Sequence, residues 1–125
     1  MKHSPELELF TTRRVALVDG DREAAEMLHM FFRLMELECS LIAPDFDAVP
    51  TVRRLRPDIL ILDFDLPDLR ALDIARESRL FLPHLPIIFL TDADPAPLPD
   101  PILRKPHGKF EELLRLFEVV LAFER

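Results

Sequence analysis

Short apolar runs alternate with amphipathic segments along most of the chain. Five runs are rich in aliphatic or β-branched residues and are bounded by polar or turn-forming residues, which predicts buried strands. They lie at 14–19, 39–43, 58–63, 86–91 and 102–104. Apolar positions recur at helical spacing in the intervening segments 22–36, 46–55 and 69–80, and again at 109–123 after Gly108. This alternation predicts an α/β domain with a parallel sheet covered by helices on both faces.

Local signals refine the helices. Asp21 precedes the first helix and is a suitable N-cap. Pro50 lies inside the second helical segment, so that helix is expected to be short or to begin at the proline. The methionines of the first helix are expected to pack in the core rather than to form a binding surface; these are Met27, Met30 and Met35.

The segment between the fourth and fifth strands is rich in proline. Prolines occupy alternate positions, namely Pro95, Pro97, Pro99 and Pro101. Each lacks an N–H group and disfavours helical geometry in the residue before it. A proline-rich, extended crossover is therefore predicted in place of a helix.

Composition and charge limit the classes of function. With 125 residues, the chain is expected to form one domain at 13–125 after a flexible N-terminal segment at 1–12. The formal net charge of −7 disfavours binding to nucleic acid or to anionic lipid. Cys39 is the single cysteine, which rules out an intramolecular disulfide. The sequence contains neither a membrane-spanning apolar run nor the apolar stretch of a signal peptide, so a cytoplasmic location is the expectation.

Polar residues close four of the five predicted strands. They are Asp19, Asp63, Thr91 and Lys105. Because the carboxyl ends of parallel strands share one edge of a sheet, these side chains are expected to meet there. Carboxylates can bind Mg²⁺, and a carboxylate can also accept a phosphoryl group. A hydroxyl and an ammonium group can stabilise the transferred charge.

The segments that contain these residues resemble the receiver domain of response regulators. The similarity rests on Val18-Asp19, Pro57-Asp58-Ile-Leu-Ile-Leu-Asp63, Leu66-Pro67, Pro86-Ile-Ile-Phe-Leu-Thr91 and Lys105-Pro106. It implies a flavodoxin-like, doubly wound sheet of five parallel strands in the order 2-1-3-4-5.

The resemblance also implies a role for each residue at the strand ends. Asp63 would be the phosphoacceptor, and Asp19 would bind Mg²⁺ together with Asp63 and the backbone carbonyl of Asp65. Thr91 would bind a phosphoryl oxygen and Lys105 would pair with the acyl phosphate.

Some positions depart from the pattern of this family. Gly20 stands where a second acidic residue is usual, Asp92 replaces a small residue, and Ile102 replaces an aromatic one. With one carboxylate fewer, Mg²⁺ binding is expected to be weaker than in an ordinary receiver, unless Asp21 or Asp92 supplies a ligand. A variant subfamily of single-domain receivers also has a loop in place of the helix between the fourth and fifth strands, and this sequence resembles that subfamily in this respect.

The expected function is that of a single-domain response regulator. Asp63 would take a phosphoryl group from a histidine kinase or a phosphotransfer protein, and the output would be a protein contact, with a homodimer as one form. The chain would be a stoichiometric acceptor that at most dephosphorylates itself, not an enzyme. One alternative is a degenerate receiver that binds a partner without phosphorylation. Another is a haloacid dehalogenase-type phosphatase, because Asp63-Phe-Asp65 is similar to the Asp-x-Asp motif of that family.

Overall fold

The structure is a computed structural model that describes residues 14–91, 100 and 102–104. The strands are β1 (Arg14–Val18), β2 (Glu38–Ile42), β3 (Ile59–Asp63), β4 (Ile87–Thr91) and β5 (Ile102–Arg104). The helices are α1 (Arg22–Leu34), α2 (Ala48–Leu55) and α3 (Arg70–Phe81), the last preceded by a single 3₁₀ turn at Pro67–Leu69. Most predicted boundaries agree with these to within one or two residues.

The five strands form one parallel sheet in the order β2-β1-β3-β4-β5, which confirms the predicted topology. The order reverses at β1, where the chain moves from one half of the sheet to the other. Val18 lies beside Leu62, and Asp63 beside Leu90. The residues that end β1, β3 and β4 therefore share one edge, at the position where open α/β sheets bind ligands.

Two apolar layers cover the sheet. On one face, Ala25, Leu28 and Phe32 of α1 pack against alternate residues of the central strands. The other face is covered by α2 and α3. All the residues of β3 and β4 are buried, as expected for strands covered on both sides.

The helix starts follow from local chemistry. The Asp21 carboxylate accepts a hydrogen bond from the Ala24 amide at 3.2 Å, so the predicted N-cap of α1 is confirmed. Helix α2 is short, with eight residues, as predicted; it begins at Ala48, two residues before Pro50, and not at the proline itself. A proline is tolerated there because amides in the first turn have no acceptor within the helix.

One expectation about the core was wrong. Met27 and Met30 are 60% and 66% exposed, and only Met35 is packed against the buried cluster. The apolar positions of α1 span a wider arc than the sheet covers, and the sheet contacts the stripe that contains Leu28 and Phe32. Met27 and Met30 therefore lie on the solvent side of α1.

Several predictions lie outside the described residues. They are the N-terminal segment, the proline-rich crossover without a helix and the last helix at 109–123. Among the helices that the structure describes, none is both long and apolar enough to cross a membrane.

Candidate functional site

The carboxyl edge of the sheet brings together three of the predicted site residues. Asp19 follows β1, while Asp63 and Thr91 are the last residues of β3 and β4. Their exposed fractions are 8%, 4% and 2%. Asp19 and Asp63 follow the paired residues Val18 and Leu62, so two buried carboxylates stand at the ends of adjacent strands.

Backbone amides orient the Asp63 carboxylate. The Asp65 amide donates to Oδ1 at 2.9 Å, and the Gly20 amide donates to Oδ2 at 3.2 Å. Hydrogen bonds of this kind stabilise the ionised form of a carboxylate and fix its direction. These two hydrogen bonds fix the direction of the Asp63 carboxylate at the end of β3.

The loop after β1 contributes a second oriented carboxylate. Asp19 Oδ1 accepts a hydrogen bond from the Asp21 amide at 2.9 Å, which closes a tight turn before α1. The Asp21 side chain points to the helix N-terminus, where it caps Ala24, and the residue is exposed. The capping role predicted for Asp21 is therefore observed.

Thr91 makes a contact that the sequence interpretation missed. Its hydroxyl donates to Oδ1 of Asp65 at 2.7 Å. The receiver resemblance implies only a backbone role for Asp65. The strand register indicates that the Asp65 side chain can reach Thr91. Asp65 lies two residues beyond Asp63, and Asp63 pairs with Leu90, the residue before Thr91.

The backbone at Gly20 would accept a side chain, but the neighbouring Leu66 would have to shift to make room for it. The φ of Gly20 is not positive, so the backbone does not require glycine. A Cβ atom there would stand 3.1 Å from Leu66 Cδ2 and 3.6 Å from Asp63 Oδ2. The small residue therefore leaves room for Leu66 beside the Asp63 carboxylate.

The donor set fits a hard cation with few protein ligands. Asp19 and Asp63 could supply carboxylate oxygens from adjacent strand ends, and the receiver resemblance implies the Asp65 backbone carbonyl as a further ligand. Within residues 14–91, 100 and 102–104, no group of three or more histidine, cysteine or acidic side chains could hold a metal. A cation bound here would keep several waters, as Mg²⁺ commonly does. Lys105 and Asp92 lie outside the described residues.

Comparison with known proteins agrees with this geometry. The family model for the response regulator receiver domain matches residues 15–100, more than half of the chain. The probable transcriptional regulatory protein TcrX of Mycobacterium tuberculosis is 35% identical over 64% of this chain, which spans only 34% of the length of that relative.

Solved structures share the fold. The receiver domain of the sensor histidine kinase PA1611 from Pseudomonas aeruginosa PAO1, with a magnesium ion in its active site cleft, has a TM-score of 0.76 and 26% identity. That match covers 88% of this chain and 98% of the other. A structure of the histidine kinase ThkA in complex with the response regulator TrrA gives a TM-score of 0.76 at 22% identity, with 88% and 99% of the two chains covered. On its family match, its strand order and the carboxylates at its strand ends, this chain belongs to the response regulator receiver domain family.

Proposed function

We propose that Asp63 accepts a phosphoryl group from a phosphohistidine donor. The observation that carries the proposal is the Asp63 carboxylate itself, which is buried, held by two backbone amides and placed beside Asp19. An oxygen of Asp63 attacks phosphorus, the P–N bond to the imidazole breaks, and an acyl phosphate forms. The imidazole nitrogen keeps the electron pair of that bond and is protonated from solvent.

The neighbouring residues would stabilise the transferred charge. Thr91 would donate to a phosphoryl oxygen, and Lys105 would pair with the acyl phosphate. Mg²⁺, when bound, would neutralise part of the phosphoryl charge. Asp19, Asp63 and the Asp65 carbonyl would hold it. We propose that it binds more weakly than in receivers with a second acidic residue at position 20, unless Asp21 or Asp92 compensates.

The chain would act as a stoichiometric acceptor and not as an enzyme. The receiver family match favours this role over that of a haloacid dehalogenase-type phosphatase, whose Asp-x-Asp motif Asp63-Phe-Asp65 resembles. A degenerate receiver that binds its partner without phosphorylation remains the second candidate. The absence of an acid at position 20 favours it, because that position usually adds a metal ligand.

The partners would be proteins. The similarity to TrrA, which was solved with the histidine kinase ThkA, supports a kinase or a phosphotransfer protein as the donor. The net charge of −7 supports an output through protein contacts, including a homodimer, and opposes contact of this domain with nucleic acid or anionic lipid. A cytoplasmic location fits this role.

A small phosphoryl donor tests the proposal. The protein is incubated with phosphoramidate and Mg²⁺, and its intact mass is followed with time. We expect a mass gain of one phosphoryl group that Asp63→Asn abolishes. Asp58→Asn is the matched control, because Asp58 precedes the opposite end of the same strand, where it accepts a bond from the Arg14 amide. Undiminished labelling of Asp63→Asn would contradict the assignment. Absence of labelling in the wild type, with a partner still bound, would favour the degenerate receiver.

A further inference from the structure

The hydrogen bond between Thr91 and Asp65 links β4 to the loop after β3. The 2.7 Å distance from Thr91 Oγ1 to Asp65 Oδ1 is typical of a hydroxyl that donates to a carboxylate. Thr91 is 2% exposed, whereas Asp65 is exposed to solvent. A buried hydroxyl is thus directed toward a surface carboxylate.

Asp65 contacts both sides of the site. Its backbone amide donates to Asp63 Oδ1 at 2.9 Å, while its side chain accepts from Thr91. A threonine hydroxyl has one hydrogen to donate. It cannot donate to Asp65 and to a phosphoryl oxygen on Asp63 at the same time.

We propose that the Asp65 carboxylate is a positioning residue that holds the Thr91 hydroxyl in the unphosphorylated protein. Phosphorylation of Asp63 must then break this hydrogen bond before Thr91 can contact the phosphoryl group. The inference rests on the proposed function, since it assumes that Asp63 is the acceptor and that Thr91 stabilises the transferred charge. Asp65 thereby favours the unphosphorylated state through Thr91.

This role predicts that the effect of changing Asp65 depends on whether the Thr91 hydroxyl is present. A general effect of charge on the labelling rate would not depend on it. If Asp65 acts through Thr91, Asp65→Ala should speed labelling by about tenfold, the value expected for loss of a charge-assisted hydrogen bond. The same change in a Thr91→Val background should have little effect, because the hydroxyl is already gone. Asp65→Asn keeps an acceptor but loses the charge, so it should fall between the wild type and Asp65→Ala.

The variants are expected to fold. Valine has nearly the shape of threonine and is well suited to a buried strand. The exposed Asp65 carboxylate can be solvated when its donor is removed. Circular dichroism and the midpoint of thermal unfolding would verify this before any rate is compared.

The experiment measures the initial rate of phosphoryl incorporation from phosphoramidate, at fixed Mg²⁺, in the wild type, Asp65→Ala, Thr91→Val and the double variant. A fold-change for Asp65→Ala that largely disappears in the Thr91→Val background supports the inference, as does a rate for Asp65→Asn between those of the wild type and Asp65→Ala. An equal fold-change in both backgrounds overturns it and assigns the effect to charge alone. An unchanged or slower rate for Asp65→Ala also overturns it.

Failure of the proposed function gives a different result. If the wild type is labelled and Asp63→Asn is not, the acceptor assignment stands whatever the coupling shows. If neither the wild type nor any variant is labelled, or if Asp63→Asn is labelled like the wild type, the proposed function fails and the inference fails with it.

Discussion

Arg79 is predicted to anchor the end of the crossover that leads into β5. In the last turn of α3, its guanidinium forms a bidentate pair with Asp100 through N···O distances of 2.7 and 3.0 Å. It also donates twice to the Leu85 carbonyl, at 2.9 and 3.1 Å. One side chain therefore connects α3, the loop before β4 and the residue that lies two positions before β5.

The exposure of the pair sets the expected energy. The Arg79 and Asp100 side chains are 33% and 14% exposed, between a surface pair and a buried one. Exposed pairs contribute about 0.2 to 1 kcal/mol, and removing one partner of a buried pair costs about 3 to 5 kcal/mol. We therefore expect Arg79→Met to lower the free energy of unfolding by about 2 to 3 kcal/mol, including the bonds lost at the Leu85 carbonyl. Methionine keeps the apolar stem, so the change isolates the guanidinium.

Urea unfolding followed by circular dichroism measures this loss. Arg76→Met is the matched control, since it removes the same charge from an exposed position on the same helix and should change stability by less than about 0.5 kcal/mol. Arg79→Lys should restore only part of the loss, because an ammonium group cannot form the bidentate pair. Equal stabilities of Arg79→Met and Arg76→Met would refute the anchoring role.

Three further predictions concern the metal site, the core and the cysteine. Gly20→Asp should tighten Mg²⁺ binding by about tenfold. It should also destabilise the metal-free protein, because it adds a carboxylate beside that of Asp63 and because its Cβ would lie 3.1 Å from Leu66 Cδ2. Unfolding midpoints over a Mg²⁺ titration check both effects, and unchanged affinity would contradict the ligand deficit. Phe32→Ala should lower the free energy of unfolding by about 3 to 4 kcal/mol, whereas Met30→Ala should change it by less than about 0.5 kcal/mol; similar losses in urea melts would place Met30 in the core. Burial raises the pKa of Cys39 to about 12 from 9.0, so the thiolate is scarce at pH 8 and alkylation by iodoacetamide should be at least about 100-fold slower than in urea. The pKa of Cys39 is higher in the folded state than in the unfolded state. The stability associated with keeping the thiol protonated is therefore fully present below pH 9 and is lost as the pH rises toward 12.

Strand positions and the main site residues could be predicted because their signals are local. An apolar run that ends in a carboxylate marks both a buried strand and the edge at which its last residue lies, as at Asp63. The N-cap at Asp21 was equally local, since a short acidic side chain before an amphipathic segment has few other roles. The strand order followed from the family resemblance and not from periodicity.

Contacts between distant segments could not be predicted in this way. The pairing of Arg79 with Asp100 joins residues separated by 21 positions, and nothing in their local sequence distinguishes them from solvated charges. The exposure of Met27 and Met30 depends on how much of α1 the sheet covers. A helical period gives the direction of an apolar face but not the width of the surface that meets it.

Gly20 and Asp65 affect the same property of the site, the negative charge around Asp63. The carboxylates of Asp19 and Asp63 are already buried at adjacent strand ends, and Asp65 adds another beside Thr91. Like charges on neighbouring strand ends repel more strongly where water is partly excluded than in bulk water. A further acid at position 20 would increase this repulsion whenever the metal is absent, and Gly20 avoids it. The residue that we propose to weaken Mg²⁺ binding would therefore also limit the repulsion on the Asp65 carboxylate, which we propose holds the Thr91 hydroxyl.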